Sequence, residues 1–169
     1  HTDYSVLDGQ SKVTRLVDKA VADGMKGMAV TDHGVMFGIK EFSDYCAKVN
    51  KGRKEKGEAP FKPVFGCEMY VARRSMHDKD KGMHDNSGYH LIVLAKNYHG
   101  YKNLIKLVSK AWVDGYYYKP RTDREQLEKY HEDLIVCSAC IAGEIPSKII
   151  HDDIEGAREA CEWYHRVFG

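Results

Sequence analysis

The feature that most constrains the fold of this sequence is the alternation of short apolar runs with amphipathic helical stretches. Four apolar runs have the length of a strand, and they begin at Gly27, Pro63, Tyr89 and Leu134. Around them, apolar residues recur every three or four positions, which predicts helices with one buried face. The four runs scarcely alternate with polar residues, as is typical of strands covered on both faces. The pattern predicts an α/β fold with a parallel sheet.

Length and composition narrow the class of protein further. With 169 residues, of which 43% are hydrophobic, the chain suits one domain. A formal net charge of +1 excludes a strongly basic nucleic-acid coat but allows a local phosphate-binding pocket. No window approaches the roughly 18 consecutive apolar residues of a membrane span. The five cysteines have no regular spacing and fit a reducing compartment better than a disulfide scaffold. We therefore expect a cytoplasmic protein with no membrane partner.

Residues of metal-binding types stand where the predicted strands meet their loops and at the start of the sequence. They are His1, Asp8, His33, Glu68, His90 and Cys140. Functional residues of α/β folds gather at the carboxyl ends of the strands, so we expect these side chains to converge. Imidazole, carboxylate and thiolate groups suit a cluster of Zn²⁺, or Mn²⁺ or Fe²⁺ at oxygen-rich positions. Neighbouring ions of this kind hold a phosphodiester and activate water.

Each of these residues also has a simpler interpretation. His90 can be a structural histidine with ordinary hydrogen bonds. Glu68 can contact solvent at a strand edge, although a buried carboxylate there needs a partner or a metal ion. The Asp32–Gly34 segment can be only a turn. Cys137 and Cys140 have the spacing of a redox pair or of half a zinc site. The residues alone indicate no more than a metal-dependent hydrolase of the α/β class.

Two basic segments offer contacts to nucleic acid. One is the Arg73-Arg74 pair, and the other is Lys119-Pro120-Arg121, which follows three consecutive tyrosines. Basic side chains bind phosphates, and tyrosine rings stack on bases. Charge runs of this kind also occur on ordinary solvated surfaces. The sequence leaves both interpretations open.

Longer strings are more specific than this spacing. They occur in one order: His1-Thr-Asp-Tyr-Ser-Val-Leu-Asp-Gly9, Thr31-Asp-His-Gly34, Gly66-Cys-Glu-Met-Tyr-Val71, Tyr89-His-Leu-Ile-Val-Leu-Ala-Lys-Asn97, Gly115-Tyr-Tyr-Tyr-Lys-Pro-Arg121 and Cys140-Ile-Ala-Gly-Glu-Ile-Pro146. Together they resemble the PHP (polymerase and histidinol phosphatase) domain at the amino terminus of the bacterial DNA polymerase III alpha subunit. The resemblance covers essentially the whole chain.

The resemblance implies a distorted seven-stranded β/α barrel of parallel strands with a metal cluster at their carboxyl ends. Matched position by position, it implies these metal ligands: His1, Asp8, His33, Glu68, His90 and Cys140. It further implies that His33, Glu68 and His90 are catalytic and that Asp32 supports the ligands from behind. Ala139 is a mild departure, because the family often has Ser-Gly-Cys where this sequence has Ser138-Ala-Cys140.

Parts of the family pattern are absent from the sequence. The family has a histidine two places before the position of His1 and a late Asp-x-His pair, and neither occurs here. We therefore expect residues 1–169 to form the amino-terminal part of the domain, a barrel truncated at both ends. The site for divalent ions, Zn²⁺ first and otherwise Mn²⁺, Fe²⁺ or Mg²⁺, is then incomplete. We expect weak metal binding and no polymerase activity from these residues alone.

The resemblance also implies a function. The parent protein would be a DNA-directed DNA polymerase of DNA replication. This domain would be a metal-dependent phosphoesterase with 3′–5′ exonuclease activity in proofreading. Its partners would be the 3′ end of the DNA primer, other replicase subunits and the polymerase domains of the same chain. The alternatives are a non-catalytic module that supports the polymerase or docks a proofreading subunit, and a small-molecule phosphatase.

Overall fold

The computed structural model describes residues 1–169 and contains six helices and five strands. In chain order they are α1 (Val13–Ala22), β1 (Gly27–Val30), α2 (Ile39–Glu55), β2 (Lys62–Ala72), β3 (Gly88–Ala95), α3 (Tyr98–Val113), β4 (Arg121–Thr122), α4 (Arg124–Lys129), β5 (Leu134–Cys137), α5 (Glu144–Ile150) and α6 (Ile154–Phe168). All four predicted strands are present, and β4 is too short for an apolar run to indicate. None of the helices combines the length and the apolarity that crossing a membrane requires.

The strands form one mixed sheet that is not closed into a barrel. Its order is β1-β2-β3-β5, and β4 pairs with β2 beside this path. β1 and β4 are parallel to β2, whereas β3 is antiparallel to β2 and to β5. Only β3 therefore runs against the common direction. The α/β class is confirmed, but the expectation that all strands are parallel is wrong.

The reversal of β3 follows from the connection that precedes it. The segment 73–87 between β2 and β3 contains turns and no helix. Parallel neighbours need a crossover, usually a helix, whereas an antiparallel neighbour needs only a returning loop. The returning chain pairs His90 with Tyr70 near the end of β2. His90 stands at the beginning of its strand, yet it lies at the same edge of the sheet as the carboxyl ends of β1 and β5.

The two faces of β2 have different roles. The odd-numbered residues from Cys67 to Val71 pack into a core with α3, α4 and α6. Because side chains alternate along a strand, Glu68 and Tyr70 lie on the opposite face, and so does His90 on β3. A second core joins α1 and α2 to β1. The two cores fix the positions of the strands that carry Glu68 and His90.

Candidate metal centre

Glu68 lies at the centre of a cluster of ionisable side chains. Its side chain is only 5% exposed, and its two oxygens face different neighbours. Oε2 lies 2.5 Å from Nδ1 of His33 and 3.3 Å from Nε2 of His1. Oε1 lies 3.0 Å from Nδ1 of His90. One buried carboxylate thus joins three histidines that are far apart in the sequence.

The cluster contains two groups of ligand-type side chains. One group is His1, Asp8 and His33, the other is Glu68, His90 and Cys140, and within each group the ligand atoms lie within 4.8 Å of one another. Nε2 of His33 lies 2.8 Å from Oδ2 of Asp8, and the His1 and His33 rings stack with centroids 3.9 Å apart. Sγ of Cys140 lies 3.6 Å from Nδ1 of His90. The fold brings together all six residues that the sequence singles out, and their role as ligands stays a prediction.

Two buried atoms at the centre of the cluster make no hydrogen bond. They are Nδ1 of His33 and Oε2 of Glu68, which lie 2.5 Å apart without the geometry of a hydrogen bond. Buried polar atoms without a partner are rare and cost about 1–3 kcal/mol each. A divalent cation accepts lone pairs from both an imidazole nitrogen and a carboxylate oxygen. The donor set at this centre therefore fits a metal ion.

Asp32 fixes the segment that carries His1. Its buried carboxylate accepts hydrogen bonds from the backbone nitrogen and hydroxyl of Thr2 and from the hydroxyl of Ser5. Oγ of Ser5 also accepts from the backbone nitrogen of His33 at 3.1 Å and lies 3.2 Å from Nδ1 of His1. These bonds hold two ligand-type histidines in place through their backbones. Sequence reasoning missed Thr2 and Ser5, because small polar residues in an aperiodic segment give no signal.

A close backbone contact brings the loop of Cys140 to β3. The backbone nitrogen of His90 donates to the carbonyl of Ala142 at 3.0 Å. A side chain on Gly143 would meet the carbonyl oxygen of Ser138 at 2.1 Å, so only glycine fits. Cys137 instead lines a groove beside α6. Cys137 and Cys140 are both free thiols, and only Cys140 faces the cluster.

Tyr70 and Trp112 border the cluster and were also missed. The Tyr70 ring lies 5.1 Å from the ring of His90 and 6.4 Å from that of His33, measured between centroids. Burial, with a smaller effect of Glu68, raises the pKa of Tyr70 to about 12, so its hydroxyl is protonated at neutral pH. Nε1 of Trp112 donates to the carbonyl of Gly34 at 2.7 Å. Both aromatic residues lie among apolar neighbours in the sequence, a pattern that indicates core packing and no role at a site.

The basic segments divide between surface and interior. Arg121 is fully buried and donates four hydrogen bonds to backbone carbonyls, so it binds neither phosphate nor solvent. Arg74 pairs with the buried Asp85. Lys119 and Arg73 remain exposed. A charge run read from sequence does not distinguish these environments.

The chain is similar to known proteins over its whole length. The family model described as the PHP domain matches residues 1–169. The DNA polymerase III subunit alpha of Borreliella burgdorferi is 43% identical over 169 residues, and that of Treponema pallidum is 41% identical over 169 residues. The subunit of Thermus aquaticus is 37% identical over 172 residues.

These matches cover 100% of the chain but only 13–14% of the length of the three relatives. The chain therefore spans about one seventh of the relatives that it matches. The resemblance in the sequence strings is confirmed over its whole length. The chain belongs to the PHP domain family, and it is similar over its whole length to part of the DNA polymerase III alpha subunits named above.

Proposed function

We propose that this domain is a metal-dependent phosphoesterase with 3′–5′ exonuclease activity, part of a protein that replicates DNA as a DNA-directed DNA polymerase. The observation that carries the proposal is the pair of buried, unbonded atoms between His33 and Glu68. The other replicase subunits, the polymerase domains and a cytoplasmic location belong to the same proposal. It rests on relatives that are DNA polymerase III alpha subunits.

The six clustered residues are the proposed ligands. The Cys140 thiolate favours Zn²⁺, whereas the group that contains Asp8 suits Zn²⁺ or, as an oxygen donor, Mn²⁺ or Fe²⁺. Divalent ions bound there would neutralise charge on a phosphodiester and lower the pKa of a water molecule. Zn²⁺ is our first choice, because two imidazoles or an imidazole and a thiolate occur in each group.

The residues of the chain have distinct tasks in this proposal. Glu68 has one oxygen directed to each group, so it would be the shared ligand, and His33 and His90 would hold the ions from either side of it. Asp32 keeps His1 and His33 in register through Thr2 and Ser5. The Asp8 side chain is 60% exposed and marks the open side by which a DNA 3′ end can enter.

The test combines metal content with digestion of primed DNA. The intact protein is dialysed against Zn²⁺ or Mn²⁺ and analysed for bound metal, and a primer with a mispaired 3′ nucleotide is then supplied without nucleotides. We expect stoichiometric metal and 3′–5′ digestion, both reduced at least about a hundredfold by His33→Ala. His99→Ala is the matched control, because His99 also contacts two carboxylates, those of Asp133 and Glu132, but on the surface.

The outcomes separate the proposal from its alternative. Stoichiometric metal without digestion would favour a non-catalytic module that supports the polymerase or docks a proofreading subunit. Absence of metal would defeat the ligand assignments themselves. Equal loss in His33→Ala and His99→Ala would show that the effect is not specific to the cluster.

A further inference from the structure

The segment from Gly115 to Arg121 forms a loop whose base is held firmly. Nε of the buried Arg121 donates to the carbonyl of Gly115 at 3.1 Å, which closes the two ends of the loop on each other. The same guanidinium donates to the carbonyls of Asp85, Met76 and Asp78. The loop therefore extends from a fixed point, and its central residues project to the surface.

The surface of this loop is unusually aromatic. Tyr116 is 48% exposed, Tyr118 is 60% exposed and the neighbouring Trp112 is 43% exposed. The Trp112 and Tyr116 rings stack with centroids 5.5 Å apart and an interplanar angle of 18°. We call Trp112, Tyr116 and Tyr118 the aromatic platform. Two stacked exposed rings differ from the single exposed side chains of an ordinary solvated surface, and the exposed Tyr118 lies two residues further along the same loop.

The backbone of Tyr118 strengthens this interpretation. Its φ is 61°, in the left-handed region that favours glycine and is unfavourable for a bulky side chain. A conformation of this kind persists where the surrounding structure imposes it, and it is common at ligand-binding positions. The sequence thus keeps a large exposed ring at a position where folding alone would favour glycine.

The aromatic platform adjoins the candidate metal centre. Trp112 is hydrogen-bonded to the carbonyl of Gly34, the residue after His33. Nζ of Lys119 lies 4.3 Å from the centre of the Tyr70 ring, and that ring contacts the ring of His90. One side of the metal centre therefore carries stacked rings and an exposed ammonium group.

We infer that the aromatic platform and Lys119 bind single-stranded DNA, with bases stacked on Trp112, Tyr116 and Tyr118 and a phosphate beside Lys119. Every base offers a flat face for stacking, so such a surface binds without sequence preference, and the lysine supplies the charge that complements the backbone. The inference deepens the proposed function, on which it rests, by naming the substrate of the metal centre as an unpaired 3′ strand. A base-paired end hides its flat faces and would bind more weakly.

The test measures binding without hydrolysis. The 169-residue chain in EDTA is titrated with a fluorescein-labelled decathymidylate, with a decamer of abasic deoxyribose phosphates and with a blunt hairpin. We expect tightest binding of decathymidylate by anisotropy, with quenching of tryptophan fluorescence. Trp163 is only 6% exposed, so the quenched residue is Trp112. Trp112→Phe keeps a stacking ring and should keep the binding but lose the quenching.

Tyr118→Gly is the decisive variant. Glycine adopts φ 61° without strain, so the variant removes the ring of Tyr118 and leaves the backbone conformation of the loop allowed. We expect its affinity for decathymidylate to fall about fivefold or more. Asp152→Gly is the control, because Asp152 has φ 58° but carries no ring. Tyr98→Ala is a second control: Tyr98 is exposed, with Lys102 over its ring, at the far end of α3.

Equal affinity of wild type and Tyr118→Gly would overturn the inference. Equal binding of the abasic decamer, or binding without quenching of Trp112, would overturn it as well. The result is independent of the nuclease assay. Binding by the platform in a protein that digests no DNA would defeat the proposed function alone. Digestion unchanged by Tyr118→Gly, with unchanged binding, would defeat this inference alone.

Discussion

Two buried polar regions of this molecule differ in how their atoms are satisfied. Around Arg121, a fully buried guanidinium donates to the carbonyls of Gly115, Asp85, Met76 and Asp78 at 2.7–3.1 Å. Burial lowers the pKa of Arg121, but a guanidinium keeps its charge at neutral pH. Each contact made there joins loops of the protein to one another.

Around Glu68, by contrast, a nitrogen and an oxygen lie close together without forming a hydrogen bond. Nδ1 of His33 and Oε2 of Glu68 have no hydrogen-bond partner although both are buried. Burial of a charged residue therefore does not by itself indicate function. A satisfied buried charge stabilises the fold, whereas an unsatisfied one, in a setting of ligand-type residues, indicates a site for a further group.

The largest expected effect is on stability at Arg121. Arg121→Lys keeps the charge but cannot reach four carbonyls, so buried acceptors are left unpaired. We expect the free energy of unfolding in urea, measured in EDTA, to fall by about 3–5 kcal/mol. Arg15→Lys on the exposed surface of α1 is the control. A loss below about 1 kcal/mol would show that Arg121 does not hold the loops together.

At Glu68, we expect a substitution to lower metal affinity and to leave stability almost unchanged. Glu68→Gln keeps the shape and an oxygen for His90 but removes the charge shared by the two groups. We expect metal affinity in calorimetric titration to fall at least about a hundredfold, while the free energy of unfolding in EDTA changes by less than about 1 kcal/mol. Glu132→Gln, at an exposed carboxylate near His99, should change neither quantity. A large loss of stability without loss of metal binding would show that Glu68 stabilises the fold and is not a metal ligand.

A change at Asp32 should lower both stability and metal affinity. Its carboxylate oxygens have hydrogen-bond partners, and those partners belong to the segment that carries His1. Asp32→Ala removes the acceptor of three hydrogen bonds from Thr2 and Ser5. We expect metal affinity to fall by about 10- to 100-fold and the free energy of unfolding by about 1–3 kcal/mol. Asp18→Ala, which removes one exposed bond to Tyr45, is the control. Metal affinity equal to that of wild type would mean that the His1 segment does not depend on Asp32.

The smallest effect concerns acid stability beside Arg121. The hydrogen-bonded Arg74 guanidinium holds the pKa of Asp85 below its ordinary value. Because the folded pKa is lowered, this contribution to stability is complete above the unfolded pKa of about 3.9 and is lost as pH falls through the folded value. We expect wild type to exceed Asp85→Asn in urea stability at pH 7 and the difference to shrink below about pH 4. A stability difference between wild type and Asp85→Asn that increases as pH falls would contradict this prediction.

The sequence predicted the strands and the residue types of the cluster, but not the direction of every strand. Apolar runs mark β1, β2, β3 and β5 because burial on both faces leaves a clear pattern. Periodicity carries no information about direction, and the reversal of β3 depends on the absence of a crossover helix in 73–87. A run of lysines is typical of a solvated turn, yet the lysine-rich stretch from Lys51 continues α2 to Glu55, because a solvated helix end tolerates such residues.

The parts of the site that could not be predicted are those made by tertiary contacts. His33 and His90 are recognisable from their chemistry at strand ends, and Glu68, which lies within β2, from the cost of burying a carboxylate in an apolar run. Arg121 is not, because an arginine in a basic run gives no sign that four carbonyls surround it. Ser5 likewise gains its role only when the amino-terminal segment folds against Asp32.

The most direct measurement is anomalous X-ray diffraction at the zinc absorption edge from crystals of this chain grown with Zn²⁺. We expect an anomalous peak about 2.0–2.2 Å from Oε2 of Glu68 and from Nδ1 of His33, with both atoms as its ligands. Crystals of Glu68→Gln grown with Zn²⁺ in the same way should lack this peak. An ordinary hydrogen bond between His33 and Glu68, with no anomalous density beside them, would contradict the metal centre.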